Sequence, residues 1–396
     1  MIAHLARAAD DVVHAVGINV HLGYLDGVYA RRFHETIVPA LTRLGVRHIR
    51  DSGTVVMDDP WMALVYARRT QLAKMGMRTC MVMAPALNST IYDSVPHWDR
   101  LLQYAAPSAE NFEGLNEHDL SKRSEWAEET RAFQSVLMAK VKADPRTSAM
   151  PVFGPSIGRP KNAAVVGTLA PRMNYASIHP YPGGGEPLTE LAYHMTHVQP
   201  MSGARACVAT ETGYHTSVAW TGEHPGVSER AHALYLPRLI LEFFAAGVVR
   251  TYLYELIDQG RGVTREHHFG LLRNDGSEKL GFTAVANLLA LLSDGRRRRA
   301  PLGRLAYEVQ ADGPVSHLLL QKADGRFLLA LWRPVPVYDL GNKRDVAPSP
   351  VPVRVAFAGP CQTRALTLDA LPTAAVTADS ATVVLAGGIV MLEVLP

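Results

Sequence analysis

Eight apolar runs, each followed by a stretch with helical spacing, divide residues 1–298 and leave few folds open to the chain. The runs are Val16–His21, Val46–Arg50, Arg78–Ala84, Ala109–Leu115, Pro151–Gly154, Tyr175–His179, Ala206–Thr210 and Val249–Tyr254. Near-continuous apolar runs of this length suit strands covered by helices on both faces. The helical stretches begin with Tyr29–Leu44, where Phe33, Ile37, Val38, Leu41 and Leu44 share a face and Gly45 marks the stop. The second opens at Asp58 or Asp59 before Pro60 and runs to Met75. The others are Trp98–Ala105, Ser124–Ala143, Lys161–Leu169, Pro187–Val198, Ser228–Ala246 and Gly281–Leu292. Ile2–Ala15 reads as a short helix ahead of the first strand. Eight strand–helix units of about 30–40 residues predict a (β/α)8 TIM barrel. The rival is a doubly wound open sheet, which commonly stops at about five or six strands.

Beyond Asp294 the pattern changes. His317–Gln321 and Phe327–Leu331 flank Ala323-Asp-Gly325, a hairpin signal. Val351–Phe357, Ala375–Thr377, Ala381–Leu385 and Ile389–Val394 alternate or are β-branched, without a helical period. A small all-β sandwich domain is expected over 299–396, after a barrel over 1–298.

Composition narrows the partners. Hydrophobic residues make up 47% and charged residues 19%, as in a globular protein. A net charge of +3 is too small for this length to imply a nucleic-acid partner, and Arg296–Arg299 reads as a solvated junction. Cys80, Cys207 and Cys361 are widely scattered and have no zinc-binding spacing; Cys80 and Cys207 fall inside apolar strand-like runs and read as buried thiols. No run reaches the roughly 18 apolar residues of a membrane span. Met1–Ala15 lacks the apolar core of a signal peptide, so the chain as it stands is expected in the cytoplasm, and outside the cell if a leader has been removed.

The chemistry gathers at strand ends. Glu117 stands in Glu113-Gly-Leu-Asn-Glu-His-Asp119 after the fourth strand, and Glu211 in Val208-Ala-Thr-Glu-Thr-Gly-Tyr214 at the end of the seventh. The C-terminal rim of a barrel is where its chemistry is done. Strands across the mouth can bring two glutamates to opposite sides of a sugar. Retaining glycoside hydrolysis needs two carboxyl groups roughly 5–5.5 Å apart. Glu113, within the strand, reads as structural, with an internal partner.

These motifs resemble clan A of the glycoside hydrolases, retaining barrels with the acid/base after strand four and the nucleophile after strand seven. The likeness rests on Gly114-Leu-Asn-Glu117, Ala209-Thr-Glu-Thr-Gly213, His179-Pro-Tyr181, Arg50 and Phe269–Lys279, and spans roughly Gly17–Leu292. The resemblance implies that Glu117 is the general acid/base and Glu211 the nucleophile. It implies that Asn116 meets the sugar 2-hydroxyl or the nucleophile, that Arg50 holds Glu211 ionised, that Tyr181 donates to Glu211, and that His179 sits near Glu117. Asn19, His21, Tyr254 and Glu255 at strand ends are further sugar-binding candidates, and Trp220 a stacking platform. Tyr254-Glu255 departs from the Trp many clan members carry near that position, and Asn88 stands where some families have His.

No metal or cofactor is expected. Asn19-Val-His21 is not the His-x-His that opens amidohydrolase-type barrels, His267-His268 are adjacent, and Gly183-Gly-Gly185 lacks dinucleotide-loop spacing. Carbohydrate is the expected partner, with neither nucleic acid nor membrane. The alternative is a non-catalytic glycan-binding protein on the same barrel, which a carboxyl separation well beyond about 6 Å would favour.

Overall fold

The computed structural model describes residues 1–53, 60–83, 98–295, 301–369 and 372–396. Asp58, Asp59, Asn88, Arg296–Arg299 and the boundary expected at 298/299 lie outside the described residues.

The chain opens with two short strands, β1 (Ile2–Leu5) and β2 (Arg7–Ala8), followed by helix α1 (Ala9–His14). The expected single helix over Ile2–Ala15 is therefore confined to its second half. The reason is tertiary: β1 pairs antiparallel with the later strand Arg304–Ala311, and β2 pairs parallel with Ser316–Gln321, so the second domain claims these residues.

Eight parallel strands follow: β3 (Val16–Asn19), β4 (His48–Gly53), β5 (Arg78–Met83), β6 (Ala109–Glu113), β7 (Val152–Phe153), β8 (Ala176–Ile178), β9 (Cys207–Thr212) and β10 (Thr251–Leu253). Their order is β7-β6-β5-β4-β3-β10-β9-β8, and a parallel bridge from Phe153 to Tyr175 joins the two ends. The sheet closes, which excludes the doubly wound alternative. The helices around it are α2 (Gly27–Arg31), α3 (Val38–Leu44), α4 (Pro60–Lys74), α5 (Trp98–Ala105), α6 (Trp126–Ala143), α7 (Ala163–Val166), α8 (Leu191–His197), α9 (Gln199–Ser202), α10 (Glu229–Ala245) and α11 (Leu280–Leu292).

Three helices differ from expectation. Tyr29–Leu44 is broken into α2, a π-type turn over Phe33–Ile37 and α3. Pro39 sits in the first turn of α3; lacking an N–H, it starts a helix more readily than it continues one. Helix α7 ends at Val166 because Gly167 turns the chain at a φ of 69°. The stretch Pro187–Val198 becomes helical only from Leu191.

Inside the barrel, Cys80, Phe153, Val208 and Tyr252 form an apolar layer. Gly17 belongs there by necessity, since a Cβ would stand 2.4 Å from a ring carbon of Tyr252. At the N-terminal end of the barrel, Glu110 joins His48 at 2.8 Å and Arg250 at 2.9 Å. The C-terminal end is left for the polar cluster described below.

The all-β part contains β11 (Arg304–Ala311), β12 (Ser316–Gln321), β13 (Phe327–Trp332), β14 (Tyr338–Asp339), β15 (Arg344–Asp345), β16 (Val351–Thr367), β17 (Val376–Leu385) and β18 (Val390–Leu395). Strand β16 runs far past the expected end at Phe357. A register shift between Ala356 and Cys361 lets its first half pair with β11 and its second half with β18, folding one sheet into a sandwich. Period-2 geometry explains why every residue of β13 is buried. Phe327, Leu329 and Leu331 enter the sandwich core, while Leu328, Ala330 and Trp332 pack with the barrel. Trp332 also donates its Nε1–H to Glu242 on α10 at 2.8 Å.

Replacing Trp332 by Ala opens a cavity between the domains and leaves the Glu242 carboxylate without that donor. A loss of about 3–5 kcal/mol is expected in urea unfolding; a loss under about 1 kcal/mol would show that this contact does not join the domains.

Candidate active site

The site is built around a guanidinium that water does not reach. Arg50, on β4, is buried, and its five N–H groups all have acceptors. Nε donates to Glu113 Oε2 at 2.6 Å and Nη2 to Glu113 Oε1 at 3.2 Å. Nη1 donates to Asn19 Oδ1 at 2.8 Å and to Glu211 Oε1 at 2.6 Å, and Nη2 to Asn116 Oδ1 at 2.7 Å. The next residue, Asp51, points to the other side of the strand and pairs with Arg69 of α4 at 2.6 Å. Arg50 is thus not the ion-pair partner of Asp51.

Glu211, at the end of β9, is 8% exposed. Its Oε2 accepts from Tyr181 OH at 2.8 Å and lies 3.6 Å from His179 Nδ1. Burial works against its ionised form, yet His179, Arg50 and the Tyr181 hydrogen bond hold its pKa at about 2. Glycine is required two residues on: Gly213 has a φ of 146°, and a Cβ there would stand 2.9 Å from the Tyr254 carbonyl oxygen.

Glu117 faces this carboxylate from the loop after β6. Its backbone is left-handed, with φ 45° and ψ 39°, unusual for a residue other than glycine. Oε1 meets His179 Nδ1 at 2.7 Å, and His179 Nε2 meets Thr210 Oγ1 at 3.1 Å. Burial disfavours the imidazolium of His179, but Glu211 and Glu117 outweigh it and raise its pKa. Oxygens of Glu117 and Glu211 and a nitrogen of His179 all lie within 4.8 Å of one another. Within this trio Glu117 and His179 bond each other, and Glu211 is bonded by Arg50 and Tyr181.

Asn116, beside Glu117, is exposed. Its Oδ1 accepts from Arg50 and from Ser156 Oγ at 3.2 Å, so its amide N–H groups are left facing outward. His21 borders the pocket with its ring stacked on Tyr24 at 4.5 Å, and its Nε2 lies 2.7 Å from Glu255 Oε2. Tyr254, Tyr181 and Phe269 form a further aromatic group, with centroids 5.3–6.3 Å apart.

Three candidates are placed differently from expectation. Asn19 is buried, and its amide nitrogen donates to the carbonyls of Thr210 and Leu253 while its oxygen accepts from Arg50, so it braces Arg50 from within the barrel. Glu255 is fully buried behind His21, with Gln259 Nε2 at 3.2 Å, and reaches the pocket only through that histidine. Trp220 donates to the carbonyl of Glu223 at 2.8 Å and packs its ring over Gly222, so these contacts stay within its own loop. Glu113 has the internal partner expected of it. Sequence reasoning missed Ser156, Thr210, Tyr24 and Gln259; Ser156, Tyr24 and Gln259 lie in loops, whose conformation strand and helix periods do not encode, and Thr210 lies on β9, where its contact depends on the ring of His179 from the neighbouring strand end.

No protein-family profile matches the sequence, nor does any curated protein. Solved structures do match. A family 39 glycoside hydrolase from Xanthomonas axonopodis pv. citri is 16% identical, with a TM-score of 0.61 over 100% of this chain and 97% of that one. The chain has the fold of the family 39 glycoside hydrolases. A family 39 β-xylosidase from Caulobacter crescentus is 15% identical, with a TM-score of 0.60 over 100% of this chain and 98% of that one. A glucosidase from Croceicoccus marinus is 11% identical, with a TM-score of 0.62 over 100% and 99%. The clan A resemblance therefore extends over both domains at the level of fold. Among the described residues no helix is long and apolar enough to cross a membrane.

The depressed pKa of Glu211 makes a prediction about stability. A carboxyl whose folded pKa of about 2 lies below its ordinary 4.5 stabilises the fold fully above pH 4.5, and that contribution is lost as pH falls towards 2. Urea unfolding at stepped pH should show Glu211→Gln losing less stability than wild type across this window. Parallel profiles would mean that the carboxylate is not held in its charged form.

Proposed function

We propose that the protein is a retaining glycoside hydrolase acting on a β-linked glycan or glycoside, with Glu211 as nucleophile and Glu117 as general acid/base. The observation that carries this reading is the pair of carboxylates within 4.8 Å across the barrel mouth, with His179 in contact with both. So short an approach of the nearest oxygens is in keeping with the close carboxyl pair of a retaining enzyme, in which one carboxylate attacks directly.

The two environments divide the roles. Glu211 receives hydrogen bonds from a guanidinium and a phenol, which keep it ionised and aimed. Glu117 lacks that pair of donors, and its side chain is 27% exposed against 11% for Glu211, open to the leaving group and then to water. Glu211 attacks the anomeric carbon as Glu117 gives its proton to the departing oxygen and the glycosidic bond breaks. Water then attacks the same carbon, losing its proton to Glu117, and Glu211 is released. Asn116 offers its free N–H groups to the sugar 2-hydroxyl, a contact that strengthens in the transition state. His21, held by Glu255, offers a second polar edge. Aryl xylosides and glucosides are the first substrates to try, since the fold neighbours include a β-xylosidase and a glucosidase.

A non-catalytic glycan receptor would need neither a carboxyl held near pKa 2 nor a second one so close to it. Glu211→Ala should abolish turnover. Glu117→Ala should lose about 10²–10⁴-fold on substrates with poor leaving groups and little on dinitrophenyl glycosides. A 2-deoxy-2-fluoro aryl glycoside should label Glu211, located by mass spectrometry. Wild-type rates in both variants on an accepted substrate would refute the assignment.

A further inference from the structure

Asp119 closes the seven-residue motif around Glu117, and nothing in the proposed reaction uses it. Its carboxylate nevertheless has three partners, all in the loop that follows the next strand. Oδ1 accepts from the Gly158 backbone N–H at 2.9 Å, and Oδ2 from the Arg159 N–H at 3.0 Å and Asn162 Nδ2 at 2.9 Å. The same two loops are joined nearer the barrel. Ser156 N donates to Leu115 O at 3.1 Å, and Glu117 N to Ser156 O at 3.1 Å and to Ser156 Oγ at 3.2 Å. The loops thus meet through the backbone at Leu115 and Glu117, and through side chains at Asn116 and Asp119.

Glu117 lies in the middle of this seam in the left-handed region, at a φ of 45°. A residue other than glycine held there is strained and persists only when its surroundings over-determine it. The Leu115–Ser156 contact fixes the seam on one side of Glu117, and the Asp119 carboxylate fixes it on the other. The loops touch closely enough that a Cβ on Gly158 would stand 3.3 Å from the Glu117 carboxyl carbon.

We infer that Asp119 is a positioning residue for Glu117: by binding the loop after β7, it holds the backbone turn that presents the acid/base to the leaving oxygen. The inference rests on the acid/base role proposed for Glu117. Its signature differs from that of a general loop staple. A misplaced acid slows only departures that need a proton, whereas a loosened fold slows every substrate alike.

The test uses the full chain and two aryl glycosides of whichever sugar, xylose or glucose, wild type accepts: the 2,4-dinitrophenyl and the 4-methoxyphenyl. Asp119→Asn places an amide N–H₂ against N–H donors. Its kcat/KM on the methoxyphenyl glycoside should fall about 10–100-fold, with a change of about 3-fold or less on the dinitrophenyl glycoside. Asn162→Ala removes one of the three contacts and should show the same leaving-group dependence at smaller size, which keeps the test open if Asp119→Asn folds poorly. Equal losses on both substrates, or none, overturn the inference. Labelling of wild type by the 2-deoxy-2-fluoro glycoside separates the two readings. Label on Glu211 with a flat leaving-group response overturns the role of Asp119 alone. No label on Glu211 overturns the proposed mechanism and this inference with it.

Discussion

The rim of this barrel depends on one buried guanidinium. A charge removed from water is tolerable only when its partners satisfy it, and a single lost partner leaves an uncompensated charge in the interior. Arg50, itself on β4, meets that demand with residues from β3, the end of β6, the loop after it, and β9, so one side chain ties four strand ends together. Its planar fork suits the task, because a lysine could not reach Glu113 with two atoms while also serving Asn19, Asn116 and Glu211. His179 answers to the same centre. Its ring meets Glu117 at 2.7 Å and lies 3.6 Å from Glu211, and these two residues raise its pKa although burial and Arg50 oppose it.

The second domain acts on the same centre through α10, the helix that follows the strand carrying Glu211. Trp332 donates to Glu242, Arg238 donates to the carbonyl of Val335 at 2.8 Å, and Arg7 of β2 lies 3.5 Å from the ring centroid of Phe244. The hairpin β14–β15 reaches the rim itself: a Cβ on Gly184, in the loop after β8, would stand 2.7 Å from Leu340. The sandwich therefore braces the helix behind the proposed nucleophile and the loop that follows Tyr181. A strand such as β13, apolar at every position, is what this double contact requires, since each face serves a different core.

The barrel was legible because its signal is repeated eight times, and one weak helix among eight cannot overturn the count. Glu117, Glu211, Arg50, His179 and Tyr181 were legible for a related reason: barrel strand ends converge, so order along the chain translates into position around the rim. Asn19 and Glu255 occupy equally good positions but face inward, and sequence position does not say whether an amide is left free after the backbone and Arg50 have claimed it. The opening strands failed for a different reason. Ile2–Ala8 pair with strands some three hundred residues later, and no local pattern records a partner at that distance. Strand β11 left a fainter trace, in Leu305 and Tyr307 buried at alternate positions.

The two proposed catalytic carboxylates are held by different kinds of structure, and the difference follows from their tasks. A nucleophile must approach one carbon along one line, so it gains from a strand, the most rigid support available. Glu211 has that support, with Arg50 and Tyr181 each fixing one carboxylate oxygen. An acid/base must deliver a proton to the leaving oxygen and later take one from water, which calls for a carboxyl that is anchored at its backbone and less confined at its tip. Glu117 fits that description: a left-handed turn fixed by Ser156, one histidine contact, and a side chain more exposed than that of Glu211. Exchanging the two supports would put a mobile carboxylate where in-line attack is needed and a pinned one where two different oxygens must be served. The asymmetry of the scaffold therefore argues for the division of labour independently of the charge environments, and both point the same way.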